Sequence, residues 1–234
     1  AREPECVDEW KASVVRVIEK ASGLDGEPLS TLFQRDRSHM ADQQEFLQEA
    51  QQQLSDVLAR HRGEAGIVYC TSRREVEALA AWLTESGVRA RPYHAGLDDS
   101  ERSRNQDLFL DEEIDVIVAT VAFGMGIDRS DVRFVIHAGA PQSLEHYQQE
   151  SGRAGRDGLE AECVLVYSSA DFMKWRLMLE KNNELTDSAR KLLRDIERYA
   201  VSVGCRHRHL VSYFGDRYER VDCGACDYCL GELE

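Results

Sequence analysis

No apolar run in this sequence approaches the roughly 18 residues needed to cross a bilayer, and the N-terminus lacks the pattern of a signal peptide. These absences give no sign of a membrane span or a secretion signal, so a cytoplasmic, nucleoid-associated protein is the expectation. Positive charge is scarce as well. The formal net charge is −14 at pH 7, whereas a nucleic-acid-binding domain normally carries a basic patch. That balance excludes diffuse attraction of a polyanion to the whole surface and leaves room only for a small, salt-sensitive footprint. Lysine is the rarer cation; arginine far outnumbers it, which favours geometrically specific phosphate contacts. There is no G-x-x-x-x-G-K-[ST] loop, and Asp111-Glu112-Glu113 is not a magnesium-holding carboxylate box after a buried strand. On its own the chain is expected to hydrolyse nucleoside triphosphates barely or not at all.

At 234 residues, with 42% hydrophobic and 31% charged residues, the chain has the balance of a soluble domain and the length for a real core. Residues 1–60 carry no defensible motif. Val14, Val15, Val17 and Ile18 predict an amphipathic helix, Gly23 to Pro28 breaks it, and a glutamine-rich helix with Phe46, Leu47, Leu54, Val57 and Leu58 follows. This stretch reads as a helical flank or as a remnant of cloning, since Ser38-His39-Met40 and the terminal Leu233-Glu234 resemble cloning-site residues.

From Gly66 strand and helix patterns alternate, which predicts an α/β fold with a parallel sheet flanked by helices over residues 61–168. The strands are Gly66–Cys70, Val88–Tyr93, Ile114–Thr120, Phe134–His137 and Cys163–Tyr167. Ser72 and Glu75 have capping-box spacing. Asp98 or Asp99 caps the next helix, which Phe109 and Leu110 anchor, and a further helix starts near Ser143. Cys70 and Cys163 fall inside apolar strands and read as buried small hydrophobes. The strands end in polar or glycine loops at one edge: Thr71-Ser72, His94-Ala95-Gly96, Thr120 to Asp128, and Gly139-Ala140. Open parallel sheets bind their ligands at that edge, so nucleotide or DNA backbone is expected there.

Residues 169–234 predict a helical hairpin and a metal module. Asp171–Lys181 and Thr186–Val201 are antiparallel helices sharing Trp175, Leu179, Leu192, Leu193, Ile196 and Tyr199 as an apolar stripe. Cys205, Cys223, Cys226 and Cys229 follow as C-x17-C-x2-C-x2-C. Four thiolates are enough for a closed tetrahedral zinc site, and cysteines in an intracellular chain are more often ligands than disulfides. His207 and His209 compete for the first ligand position. Four thiolates leave no open coordination position, so the metal is structural, and its loss should unfold the module.

The most specific stretch runs from Ile114 to Gly158. It carries Gly124-Met125-Gly126-Ile127-Asp128 and then Gln149-Glu150-Ser151-Gly152-Arg153-Ala154-Gly155-Arg156-Asp157-Gly158. Two arginines three apart, with glycines around them, present guanidinium forks suited to phosphate. GMGID followed by QxxGRAGRDG resembles motifs V and VI of superfamily 2 helicases. The fuller ATVAFGMGID and YQQESGRAGRDG resemble the RecQ-family DNA helicases, and the likeness runs from about Gly66 to Cys229.

The resemblance implies a second RecA-like lobe plus zinc module of an ATP-dependent 3′→5′ DNA helicase. Arg153 and Arg156 would face a nucleotide held by a first lobe, with Arg156 as the finger that stabilises charge on the transferred phosphoryl group. Gln149 and Glu150 would order that site, while Gly126 and Asp128 would couple it to the DNA track. Ser72 and Arg73, then His94, Ala95 and Gly96 (in the form YHAGL), and Thr120 and Gly124 would touch the DNA backbone without reading sequence. Structural Zn²⁺ is implied, with ATP and Mg²⁺ bound only when a first lobe is present. The implied partners are single-stranded or forked DNA and that first RecA-like lobe. The chain departs from the family pattern in lacking an entry strand with Arg-x-Asn, a first motor lobe and a winged helix. The rival reading is a stand-alone DNA-binding or regulatory module without its own ATPase; a third is a structural zinc domain on a degenerate helicase fold.

Overall fold

A computed structural model describes residues 13–19, 51, 54–121, 123 and 129–233. Six strands form one sheet: β1 (Ser13–Glu19), β2 (Ala65–Tyr69), β3 (Ala90–Tyr93), β4 (Val116–Ala119), β5 (Val132–His137) and β6 (Ala161–Tyr167). Their order is β1-β6-β5-β2-β4-β3, and every pairing is parallel. Helices α1 (Arg73–Glu85), α2 (Asp99–Leu110) and α3 (Leu144–Ser151) connect the strands. Helices α4 (Ser169–Lys181), α5 (Asp187–Val201) and α6 (Arg206–Tyr213) follow the sheet. No helix among the described residues is long and apolar enough to cross a membrane.

The strands are apolar runs because both faces of the sheet are covered. Alternate residues point to opposite sides. Val68, Val118, Phe134, Ile136 and Val164 pack under Val76, Leu79 and Leu83 of α1, and under Leu54 and Val57 of a helical segment at residues 54–60. On the other face Ile67, Ile117, Val135 and Cys163 meet Phe109 of α2 and Phe123. Cys70 and Cys163 are buried as expected. Leu110 is not the anchor its spacing suggested: it is 36% exposed, and Phe109 alone is buried. Asp98 does occupy the N-cap position of α2, but its side chain makes no cap bond.

The first quarter of the chain requires a correction. Residues 13–19 form a strand, not an amphipathic helix, and they extend the sheet beyond β6. The apolar positions 14, 15, 17 and 18 fit either period, but Val14, Val15, Val17 and Ile18 are β-branched and lose rotamer freedom in a helix. In the strand, Val15 and Val17 are buried, while β6 on one side satisfies the backbone. On the other side the cysteine segment does so. The Val15 amide donates to Ala225 O (2.9 Å), the Asp227 amide donates to Val15 O (2.9 Å), and the Val17 amide donates to the Asp227 carboxylate (3.0 Å). This part of residues 1–60 is therefore sheet, not a detachable flank. Phe46 and Leu47 lie outside the described residues.

A second staple holds the same corner. Glu162 on β6 accepts from Arg16 (2.6 Å), Arg60 (2.7 Å) and His61 (2.9 Å), and Arg16 also pairs with Glu232 (2.7 Å). Burial alone would raise the Glu162 carboxyl, but hydrogen bonds from His61 and Arg60 and the charges of Arg60 and Arg16 outweigh it and hold it at about 2. The bond to Glu162 likewise raises His61. Because the Glu162 carboxyl is depressed on folding, its contribution is complete above its unfolded value near pH 4.5 and is lost as pH falls toward 2. His61 has the opposite sign: its share is present below about pH 6.5 and fades as pH rises through its raised value. Urea unfolding midpoints measured from pH 7 down to pH 3 are expected to fall, and Glu162→Gln is expected to flatten that acid limb.

Candidate functional site

At the carboxyl edge of the sheet the capping box forms as its spacing predicts. The Ser72 hydroxyl accepts the Glu75 amide (3.2 Å), and the Glu75 carboxylate takes the amides of Thr71 (3.1 Å) and Ser72 (3.0 Å) and the Thr71 hydroxyl (2.7 Å). This fixes the first turn of α1 with Arg73 exposed beside it. Arg73 lies across the loop after β3. A Cβ placed on Gly96 would come within 3.0 Å of the Arg73 guanidinium and 3.1 Å of His94 Nδ1, so any larger residue would have to push one of these side chains aside.

His94 is buried and spends both ring nitrogens internally. Nδ1 accepts the Gly96 amide (3.1 Å), which leaves Nε2 to carry the proton and donate to Glu77 (2.7 Å). His94 therefore shapes the loop, while Ala95 and Gly96 present an exposed backbone. Thr120 is half-buried next to this loop, with its amide on Tyr93 O (3.2 Å) and its carbonyl accepting from Phe123 (3.0 Å). Ser72, Arg73 and the 94–96 loop thus converge on one surface. Gly124, Gly126 and Asp128 lie outside the described residues.

The arginine pair sits elsewhere. Ser143 caps α3, the helix stops at Ser151, and residues 152–157 form turns. The Gly155 amide donates to Val132 O (2.9 Å) and the Asp157 amide to Ser130 O (3.3 Å), which ties the turn to the start of β5 and not to the carboxyl-edge loops. Gly155 has φ +64°, and a Cβ there would meet Leu159 O at 2.8 Å, so the turn needs glycine. Arg133 pairs with Asp157 (2.6 Å) and holds that carboxyl below its usual range.

The two arginines have different fates. Arg153 is 5% exposed and places its charge near the Tyr69 hydroxyl, which itself donates to Phe123 O (2.9 Å). Burial pushes the Tyr69 phenol up, and the Arg153 charge opposes that rise. Arg156 is exposed, with its Nε donating back to Gly152 O (3.2 Å). Gln149 is exposed, while Glu150 is buried against His137 Nε2 at 2.8 Å. Sequence reasoning gave no role to His137. Its only signal was an ionisable residue ending the otherwise apolar run Phe134-Val135-Ile136.

Cys205, Cys223, Cys226 and Cys229 come together, with all four sulfurs within 4.8 Å of one another. A tetrahedral zinc at a Zn–S distance near 2.3 Å separates its sulfurs by about 3.8 Å, so the donor set fits that ion. Backbone amides of Arg208, Cys223 and Ala225 point at Cys205, Cys229 and Cys223 sulfurs (3.5, 3.4 and 3.4 Å), which favours thiolates. Cys205 is the N-cap of α6. His207 and His209 are not in the cluster; His209 stands edge-on to Tyr199 at 5.3 Å. Bound there, zinc would supply a closed cross-link between α6 and the knuckle, with no catalytic position.

Two family patterns match the chain in series. "Helicase conserved C-terminal domain" covers residues 49–158 and "RecQ zinc-binding" covers residues 169–230. The ATP-dependent DNA helicase RecQ of Bacillus subtilis is 43% identical over 178 residues, which is 75% of this chain and 30% of that protein. The RecQ of Pasteurella multocida is 44% identical over 182 residues, 76% of this chain and 28% of that protein. The chain thus spans under a third of the length of these relatives. Among solved structures, the E. coli DEAD-box protein SrmB superposes with a TM-score of 0.50 at 20% identity over 75% of this chain and 85% of that one, a likeness of fold alone.

Elemental analysis is expected to give about one zinc per chain. Cys226→Ser should lower that content and speed hydrogen exchange at the Val15 and Val17 amides, whose acceptors belong to the same knuckle. Unchanged exchange in a metal-depleted variant would separate the metal from the sheet edge.

Proposed function

Because the chain belongs to the RecQ family, carrying its C-terminal helicase domain and zinc-binding segment in order, we propose that it works as the second motor half of a 3′→5′ ATP-dependent DNA helicase. The first RecA-like lobe holds ATP and Mg²⁺, and the turn at residues 152–157 faces that nucleotide across the gap. The observation that carries this reading is the split between the arginines. Arg156 stands exposed on a turn that two backbone bonds fix to β5, while Arg153 is buried beneath it.

Arg156 is accordingly the finger that stabilises charge on the transferred phosphoryl group, and such a group supplies most when it is held in place before the reaction. Arg153 holds the turn through Tyr69 and does not itself reach the nucleotide. Gln149, exposed one residue from Glu150, is the polar group of α3 placed to meet the nucleotide, and Glu150 acts from below. Gly126 and Asp128 couple this cleft to the track. At the carboxyl edge Arg73, the exposed backbone of Ala95 and Gly96, and Thr120 and Gly124 receive the phosphates of single-stranded or forked DNA, with Ser72 and His94 setting their geometry. Contacts of this kind hold a strand at any sequence. A cytoplasmic, nucleoid-associated location follows from the DNA substrate. Alone, the chain turns over little or no ATP.

Mixing the chain with the separately expressed first lobe, DNA and ATP tests this. DNA-dependent ATPase is expected to appear, and Arg156→Ala should lower kcat by roughly a thousandfold, in the range of lost arginine fingers. Arg153→Ala should instead lower thermal stability along with the rate. Recovery that survives Arg156→Ala unchanged overturns the finger assignment. No recovery at all, with DNA binding retained, favours a stand-alone binding module.

A further inference from the structure

Beneath α3 the apolar interior of the sheet is interrupted by one buried acid–imidazole pair. His137, the last residue of β5, is 1% exposed, and its Nε2 lies 2.8 Å from a carboxylate oxygen of Glu150. Burying two ionisable groups costs more than an apolar pair of the same size, so the contact is weak ground for stability as such. What the surroundings provide is immobility. The imidazole lies against Tyr69 at 5.3 Å and 22° and against Tyr147 at 5.0 Å and 47°. Tyr147 in turn rests on Tyr199 at 5.4 Å.

A buried ring in contact with two others fixes the place of the group it bonds. Glu150 belongs to the last turn of α3, one turn ahead of Arg153, and the chain leaves the helix immediately afterwards. Tyr69, stacked on the same imidazole, carries the hydroxyl on which the Arg153 charge acts. His137 therefore meets the arginine turn by two routes, through a carboxylate and through a phenol.

We propose that His137 is a positioning residue for this turn: by holding Glu150 and Tyr69 it sets the exit of the chain from α3 and hence the direction in which Arg156 projects. The inference rests on the proposed nucleotide role only for what Arg156 meets. The local ordering does not depend on it.

His137→Phe keeps an aromatic ring in the stack and deletes the bond to Glu150, whereas His137→Gln keeps a donor. Amide hydrogen exchange is read on the whole chain. In His137→Phe, residues 150–157 are expected to exchange about tenfold faster or more, while β2, β4 and the cysteine knuckle stay as they were. His137→Gln should bring most of that protection back. In the complemented ATPase, His137→Phe should lower kcat at least about tenfold with KM for ATP nearly unchanged, as for a misplaced group that acts in the transition state, and His137→Gln should recover much of the rate. A folded His137→Phe with unchanged exchange at 150–157 and unchanged kcat overturns the proposal. Should His137→Phe not fold, Glu150→Ala removes the acceptor of the same pair and carries the same expectations, and no change there overturns it equally. A kcat that ignores both Arg156→Ala and His137→Phe, with exchange at 150–157 still accelerated, condemns the nucleotide reading and leaves the positioning role standing.

Discussion

Asp227 is the side chain through which the sheet and the cysteine knuckle share one set of hydrogen bonds. Its carboxylate receives Arg206 Nε at 2.9 and 3.1 Å, the Val17 amide at 3.0 Å and the Tyr228 amide at 2.7 Å. Arg206 also donates to the carbonyls of Tyr199 (2.8 Å) and Ser202 (2.9 Å) where α5 ends. A buried charge left without its partner costs about 3–5 kcal/mol, so strand, knuckle and helix end are held to one geometry. The arrangement also disposes of an edge. The outer side of β1 would otherwise offer unpaired backbone groups for unwanted strand addition, and the segment from Ala225 to Asp227 occupies it. Asp227 lies between two of the four cysteines, so the segment that carries the metal ligands is also the one that closes the sheet edge.

Much of this was open to a reader of the residues. The buried parallel strands announced themselves as apolar β-branched runs, the Ser72–Glu75 box formed as spaced, and the four cysteines met as their intervals implied. Residues 13–19 show where such reading fails. The run Val14-Val15-Arg16-Val17-Ile18 satisfies a helical and an extended period about equally, and the groups that decide between them, Ala225 O and the Asp227 carboxylate, lie at the far end of the chain. Local pattern carries no trace of a partner so distant. The arginines teach the same lesson at short range. Arg153 and Arg156 look equivalent in a glycine-rich motif, yet the bond from Gly155 to Val132 O turns one inward to Tyr69 and leaves the other outside. His137 had no motif to mark it; what distinguishes it is the company of Glu150, Tyr69 and Tyr147.

The net charge of −14 becomes easier to place once the arginines are followed individually. Arg16 and Arg60 converge on Glu162, Arg129 on Asp131 and the Phe109 carbonyl, Arg133 on Asp157, and Arg206 on Asp227. These guanidinium groups serve as internal cross-links, a use that suits their planar, multiply donating heads. Arg73 and Arg156 are instead exposed, each near a glycine loop. An acidic protein that exposes arginine attracts polyanions weakly from a distance and can hold them only by local geometry.

The carboxyl-edge loops and the arginine turn lie in different parts of the lobe, and β2 is what they have in common. Its last residue, Tyr69, sits in register with His137 at the end of β5, and the next residues are Cys70 and the Thr71-Ser72-Arg73 loop. The phenol of Tyr69 meets Arg153 while the backbone of the same strand leads into the surface around Gly96. Pull on that loop therefore acts on a strand that is hydrogen-bonded on both sides, to β4 and β5, and packed from above and below. A close-packed sheet of this kind transmits displacement and does not absorb it.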